Sequence, residues 1–137
     1  MREILFRGKT EQGEWVYGFY HNETSIESPS SDRKITRHHI YTQDFDKFVI
    51  PETVGQFTGL TDKNGKKIFE GDIVQICRKS IYGNGEYSFY KVIWHEGWDG
   101  WGLINIKSKH SRYLCGANNG EVIGNIHDNT ELLEVAK

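Results

Sequence analysis

The chain has 137 residues, with 17 Lys and Arg against 19 Asp and Glu, so its net charge is −2. That balance excludes a protein that coats nucleic acid by bulk charge. With 36% apolar residues and only 2 prolines, a disordered acid or base and a Pro-rich linker are excluded as well. Ile, Val and Thr number 14, 7 and 8 against 6 Leu and 2 Ala, and 18 residues are aromatic. β-Branched and aromatic side chains fit a pleated surface better than a helix. The composition therefore predicts a mainly β fold, a β-rich α+β fold at most. No stretch approaches 18 apolar residues, so no membrane span is expected. Residues 1–7 hold no long apolar run of the kind that marks a secretory signal, which predicts a cytoplasmic chain.

In chain order, residues 3–7 predict a short strand. Gln12-Gly13 turns the chain, and residues 14–20 alternate with a period of 2, Trp15, Tyr17 and Phe19 on one face and Val16, Gly18 and Tyr20 on the other. The two segments predict a hairpin. Residues 21–47 are polar and read as a mobile loop, with at most a weak strand or turn from Ile35 to Thr42. Pro51 biases Ile50 toward extended backbone, and a soft boundary is placed near residue 50. Residues 57–62 and 66–69 flank Asn64-Gly65, a pair that supplies the positive φ angles of tight hairpins. Residues 73–77 predict a strand, residues 82–85 a second Asn-Gly turn, and residues 86–95 the longest strand. An aromatic loop over residues 98–102, a strand over 103–106, a third turn at Asn119-Gly120 and a strand over 121–126 follow. Residues 130–135 suit one or two helical turns, with Asp128 or Asn129 as N-cap. Short antiparallel strands at this spacing predict a small barrel-like or sandwich arrangement. The regions 1–50 and 51–137 are expected to form one compact unit.

Two segments carry a resemblance. Residues 54–74 (VGQFTGLTDKNGKKIFEGDIV) are similar to the signature of the YopX family, and residues 122–133 (VIGNIHDNTELL) are similar to its closing segment. Residues 6–9 with 13–18 resemble family members less diagnostically. The resemblance spans nearly the whole chain. It implies a small protein carried by bacterial phages or prophages, with no assigned activity, catalytic residue or cofactor, whose partners are proteins and include copies of itself, a trimer being one form. The family has been described as largely helical, whereas the residues themselves predict β structure.

Within the signature, Gly59, Gly65 and Gly71 mark places that need backbone freedom, and Gly124 belongs to the structural motif. Asp62 and Asp72 flank turns, where a carboxylate accepts backbone N–H groups. Asn64, Glu70 and Asn125 complete the structural motif. Asp62, Glu70 and Asp72 could instead converge as a cation or acid–base site, but turn capping is the favoured reading. Adjacent His38 and His39 would point to opposite faces of a strand and chelate one ion poorly. The other histidines, His21, His95, His110 and His127, are not gathered by any spacing. Cys77 and Cys115 lie 38 residues apart and read as two buried or half-buried thiols, Cys77 as an inert small hydrophobe and Cys115, beside Gly116, as the one that could be exposed, with a disulfide left open. No catalytic residue, metal site or cofactor is expected. The candidate binding surface is Trp94, Trp98 and Trp101 with Lys63, Lys66 and Lys67. The tryptophans suit a stacking platform or, preferably, a plug in the end of a barrel, and the lysines suit a solvated turn. The sequence thus favours a non-enzymatic accessory protein acting through protein contacts, with a small nucleic-acid-binding module as the alternative.

Overall fold

The computed structural model describes residues 3–78 and 85–135. Contacts divide the chain into two compact units, Met1–Gln56 and Phe57–Lys137. Both units are mainly β with antiparallel pairing, as the composition predicts. Among the described residues no helix is long and apolar enough to cross a membrane.

The first unit holds β1 (Phe6–Lys9), β2 (Trp15–Ile26), β3 (Lys34–Tyr41) and β4 (Asp46–Phe48), each paired with the next. A strand β5 (Gly55–Thr61) begins here, with Gly55 and Gln56 opposite Arg7 and Phe6. Residues 21–47 depart from their reading as a loop: β2 and β3 pair from Phe19↔Tyr41 to Ile26↔Lys34, leaving residues 27–33 as the reversal. The far half of this ribbon is solvated on both faces, so no apolar alternation marks it. Backbone bonds hold it, with cross-strand pairs such as Thr24 Oγ1 to Thr36 Oγ1 at 2.9 Å. The period-2 reading of β2 places Val16 and Tyr20 inward. Val16, Ile40 and Val49 form the core, with Phe6, Tyr20 and Val54 against it. Gly18 must be glycine, because a Cβ there would lie 1.9 Å from the Tyr41 carbonyl oxygen.

The second unit continues β5 into β6 (Lys67–Phe69), a hairpin turning at Asn64-Gly65. It then forms a five-stranded sheet from β7 (Asp72–Arg78), β8 (Glu86–His95), β9 (Gly100–Asn105), β10 (Ser111–Tyr113) and β11 (Glu121–Asn125), in the order β10-β9-β8-β7-β11. Helix α1 (Thr130–Val135) ends the described chain. Ile68 of the hairpin, with Leu60 beside it, packs on Val74, Ile76, Tyr90, Val92, Leu103 and Val122 of the sheet. The arrangement is sandwich-like and not a closed barrel: β10 pairs with β9, β11 with β7, and the two edges do not meet.

Three local expectations are corrected. Gly100, Trp101 and Gly102 belong to β9 and not to a loop, and only a 3-10 turn over Glu96–Trp98 and its cap Asp99 separate β8 from β9. Asn119-Gly120 is no positive-φ hairpin: Asn119 ends a 3-10 helix (Leu114–Asn119), and Gly120 is extended with φ −104°. Glycine stands there for closeness, since a Cβ would meet Val74 Cγ1 at 2.6 Å. Cys77 and Cys115 are both exposed and free; Cys77 follows buried Ile76 on the strand, so the pleat turns it outward. The Asn-Gly turn expected at residues 82–85 has residues 82–84 outside the described part.

Candidate functional site

The signature residues do structural chemistry. Asp62, 5% exposed, accepts backbone N–H bonds from Asn64 (2.8 Å) and Lys66 (2.9 Å) on Oδ1, and from Val122 (2.9 Å) on Oδ2. Its carboxylate thereby fixes the β5–β6 turn and ties it to β11. Burial pushes its pKa up; the N–H groups of Val122, Lys66 and Asn64, with the Lys66 charge, more than reverse this and hold it below its ordinary value. Asp72, 1% exposed, accepts from Phe69 N at 2.8 Å. Glu70 sits in the turn just before it, and Gly59, Gly65 and Gly71 have φ of 91°, 80° and 89°. Asn125 Oδ1 accepts from His127 N and Asp128 N, while Asn129 Oδ1 packs where a Gly124 Cβ would be and accepts from Asn125 N. Asp62, Glu70 and Asp72 form no metal-ligand group among the described residues.

The candidate binding surface is not brought together. Trp98 stacks between His95 (centroids 3.9 Å apart) and Tyr113 (4.5 Å), and Trp94 meets Trp101 edge-on at 5.2 Å. Trp94 and Trp101 are register partners on one face of the sheet, and His95, the next residue of β8, carries Trp98 on the other. Lys63 pairs with Glu121 of β11 at 3.9 Å, and Lys67 lies over the Phe57 ring at 5.3 Å, while Lys66 contributes its backbone N–H to Asp62. β10 and β11 are opposite edges of the five-stranded sheet, so Trp98 and Lys63 stand at its two ends.

The structure gathers a different group in the first unit. His21 and His39 are register partners on β2 and β3, and Asp46 of β4 is paired with Tyr41, two residues from His39. All three share the outward sheet face with Glu23 and Phe48. His39 Nδ1 lies 3.2 Å from Asp46 Oδ2, His21 Nε2 lies 3.6 Å from Asp46 Oδ1, and the two imidazoles stack with centroids 4.6 Å apart. Phe48 covers the His39 ring at 4.5 Å, leaving that side chain 6% exposed. His38 points the other way and bonds the Tyr20 hydroxyl at 2.6 Å. The prediction that His38 and His39 diverge therefore holds, but each finds a partner across the strands. The link was invisible in sequence because it depends on the β2–β3 register, and β2 runs into a segment that reads as loop.

Around this group the outward face carries exposed rings: Tyr17 and Phe19 from β2, Tyr41 from β3 and Phe48 from β4. Beside it, an open hollow of about 660 Å³ is lined by Glu11, Glu14, Arg37, His38, Asp46 and Lys47 among others.

The family model described as YopX protein matches residues 5–134. The chain belongs to the YopX family. Among solved structures it is similar to the crystal structure of protein EF1440 from Enterococcus faecalis, with 25% identity, a TM-score of 0.53, and coverage of 97% of this chain and 99% of that one. No curated protein matches. The β content is thus that of a YopX member, and the largely helical description does not apply to this chain.

Proposed function

We propose that this YopX member is a non-enzymatic accessory protein of a phage or prophage, working in the host cytoplasm, that acts through protein contacts. The contact is self-association through the outward face of β2, β3 and β4. One observation carries this reading: Phe19 and Phe48 are 67% and 60% exposed on that face, with Tyr17 and Tyr41 beside them. Contiguous apolar patches are uncommon on monomers, and aromatic residues are enriched where proteins meet. In the second unit Trp94 packs on Trp101, and Trp98 stacks on His95 and Tyr113.

Light scattering on the eluting protein over a range of concentrations tests this. Wild type is expected to assemble, and a Phe19→Ser variant to remain monomeric with an unchanged circular dichroism spectrum, since that ring is exposed. A wild-type monomer at every concentration overturns the reading. Retarded mobility of DNA or RNA that collapses as salt rises would favour the nucleic-acid alternative through Trp94, Trp98 and Trp101 with Lys63, Lys66 and Lys67.

A further inference from the structure

We propose that His21, His39 and Asp46 bind a borderline divalent cation, Zn²⁺ in the first instance, on the outward face of the first unit. One ligand atom from each lies within 4.8 Å of the other two. Metal–ligand bonds of roughly 2.0–2.2 Å in a tetrahedron set ligand atoms about 3.3–3.6 Å apart. The two imidazole-to-carboxylate distances, 3.2 Å to Oδ2 and 3.6 Å to Oδ1, lie close to that spacing, each imidazole facing its own carboxylate oxygen. Three neighbouring paired strands supply the ligands, so little ordering remains to be done on binding.

A second observation points to the ion. His39 is 94% buried, and its Nε2 makes no hydrogen bond, while Glu23 Oε1 stands 3.4 Å from it. A histidine that coordinates through one ring nitrogen characteristically turns the other toward a carboxylate, which fixes its tautomer. Glu23 stands in that position when Nδ1, facing Asp46, is the ligand. A simple ion pair explains less. Asp46 faces both stacked imidazoles and Glu23 faces His39 alone, so charging both rings would still set like charges about one ring spacing apart. A metal takes both rings neutral. Two nitrogens and one oxygen suit Zn²⁺, Co²⁺ or Ni²⁺ over Mg²⁺ or Ca²⁺, and three protein ligands leave a coordination position toward solvent. The inference stands on this geometry and does not depend on self-association.

The test is titration of the untagged protein with Co²⁺, followed by visible absorption, then displacement by Zn²⁺, with melting followed in parallel. The expected result is saturation at one ion per chain, Zn²⁺ displacement, and a melting midpoint raised by Zn²⁺ but not by Mg²⁺ or Ca²⁺. His21→Ala and Asp46→Asn should abolish it. Glu23→Gln, an exposed change that leaves the three ligands in place, should weaken affinity about 10-fold or more. His110→Ala, on the β9–β10 loop, should change nothing. The absence of saturable binding overturns the proposal, as does binding that persists unchanged in His21→Ala and Asp46→Asn.

Discussion

Asp62→Asn isolates the chemistry of the family signature. The carboxylate serves Asn64 N and Lys66 N with one oxygen and Val122 N with the other. Asn retains a single acceptor oxygen. If it keeps the two turn donors, its NH₂ group faces the Val122 N–H, so a charge-assisted bond is lost and two donors oppose each other in a buried place. Bonds to a charged group contribute roughly 1.5–3 kcal/mol, and a stranded buried donor costs about 1–3 kcal/mol. A loss of about 2–3 kcal/mol follows, which for a unit of this size lowers its melting midpoint by about 10–20 °C. Urea unfolding followed by tryptophan fluorescence measures it, since Trp94, Trp98 and Trp101 all lie in the same unit. The folded pKa of Asp62 is depressed, so its contribution is fully present above the unfolded value near 3.8 and fades as pH falls through the folded value. The gap between wild type and variant should therefore be wide at neutral pH and start to close only as pH falls below about 3.8. A gap under about 0.5 kcal/mol at neutral pH, the level of an ordinary surface change, would refute the assignment.

Gly18→Ala should destabilise the first unit by about 1–3 kcal/mol, because the new methyl would press on the Tyr41 carbonyl; a denaturant midpoint equal to wild type would show that β2 and β3 are not this close. Both exposed thiols, Cys77 and Cys115, should react with an aromatic disulfide reagent in the native state, and recovery of fewer than two reactive groups without denaturant would contradict their placement. Gly120→Val should cost more than Gly65→Ala, since its side chain must enter the space of Val74 and Ile76 whereas Gly65 has only its positive φ to defend; equal losses in thermal melts would count against the close packing at Gly120.

What was legible in the sequence was local. Asn64-Gly65 between two apolar runs marks a hairpin, although only Gly65 takes a positive φ there and Asn64 does not, and Glu86–His95 is bounded as the residue pattern predicts. The third Asn-Gly misled because glycine serves two purposes, positive φ and close approach, and only packing tells which applies at Gly120. The outer half of the β2–β3 ribbon lacked a signal because neither face is buried. With that register hidden, the pairing of His21 with His39, 18 residues apart, was hidden too. Trp94, Trp98 and Trp101 were legible as neighbours along the chain, but the stacking of Trp98 depends on Tyr113 of β10 and His95 of β8, contributed by separate strands.

Side-chain footprinting with hydroxyl radicals, read residue by residue as protein concentration rises, tests the self-association face most directly. Oxidation of Phe19, Phe48, Tyr17 and Tyr41 should fall as the chain assembles, while that of Trp94 and Trp98 stays constant. Assembly that leaves Phe19 and Phe48 as reactive as in the dilute protein, or that protects the tryptophans instead, would contradict the account.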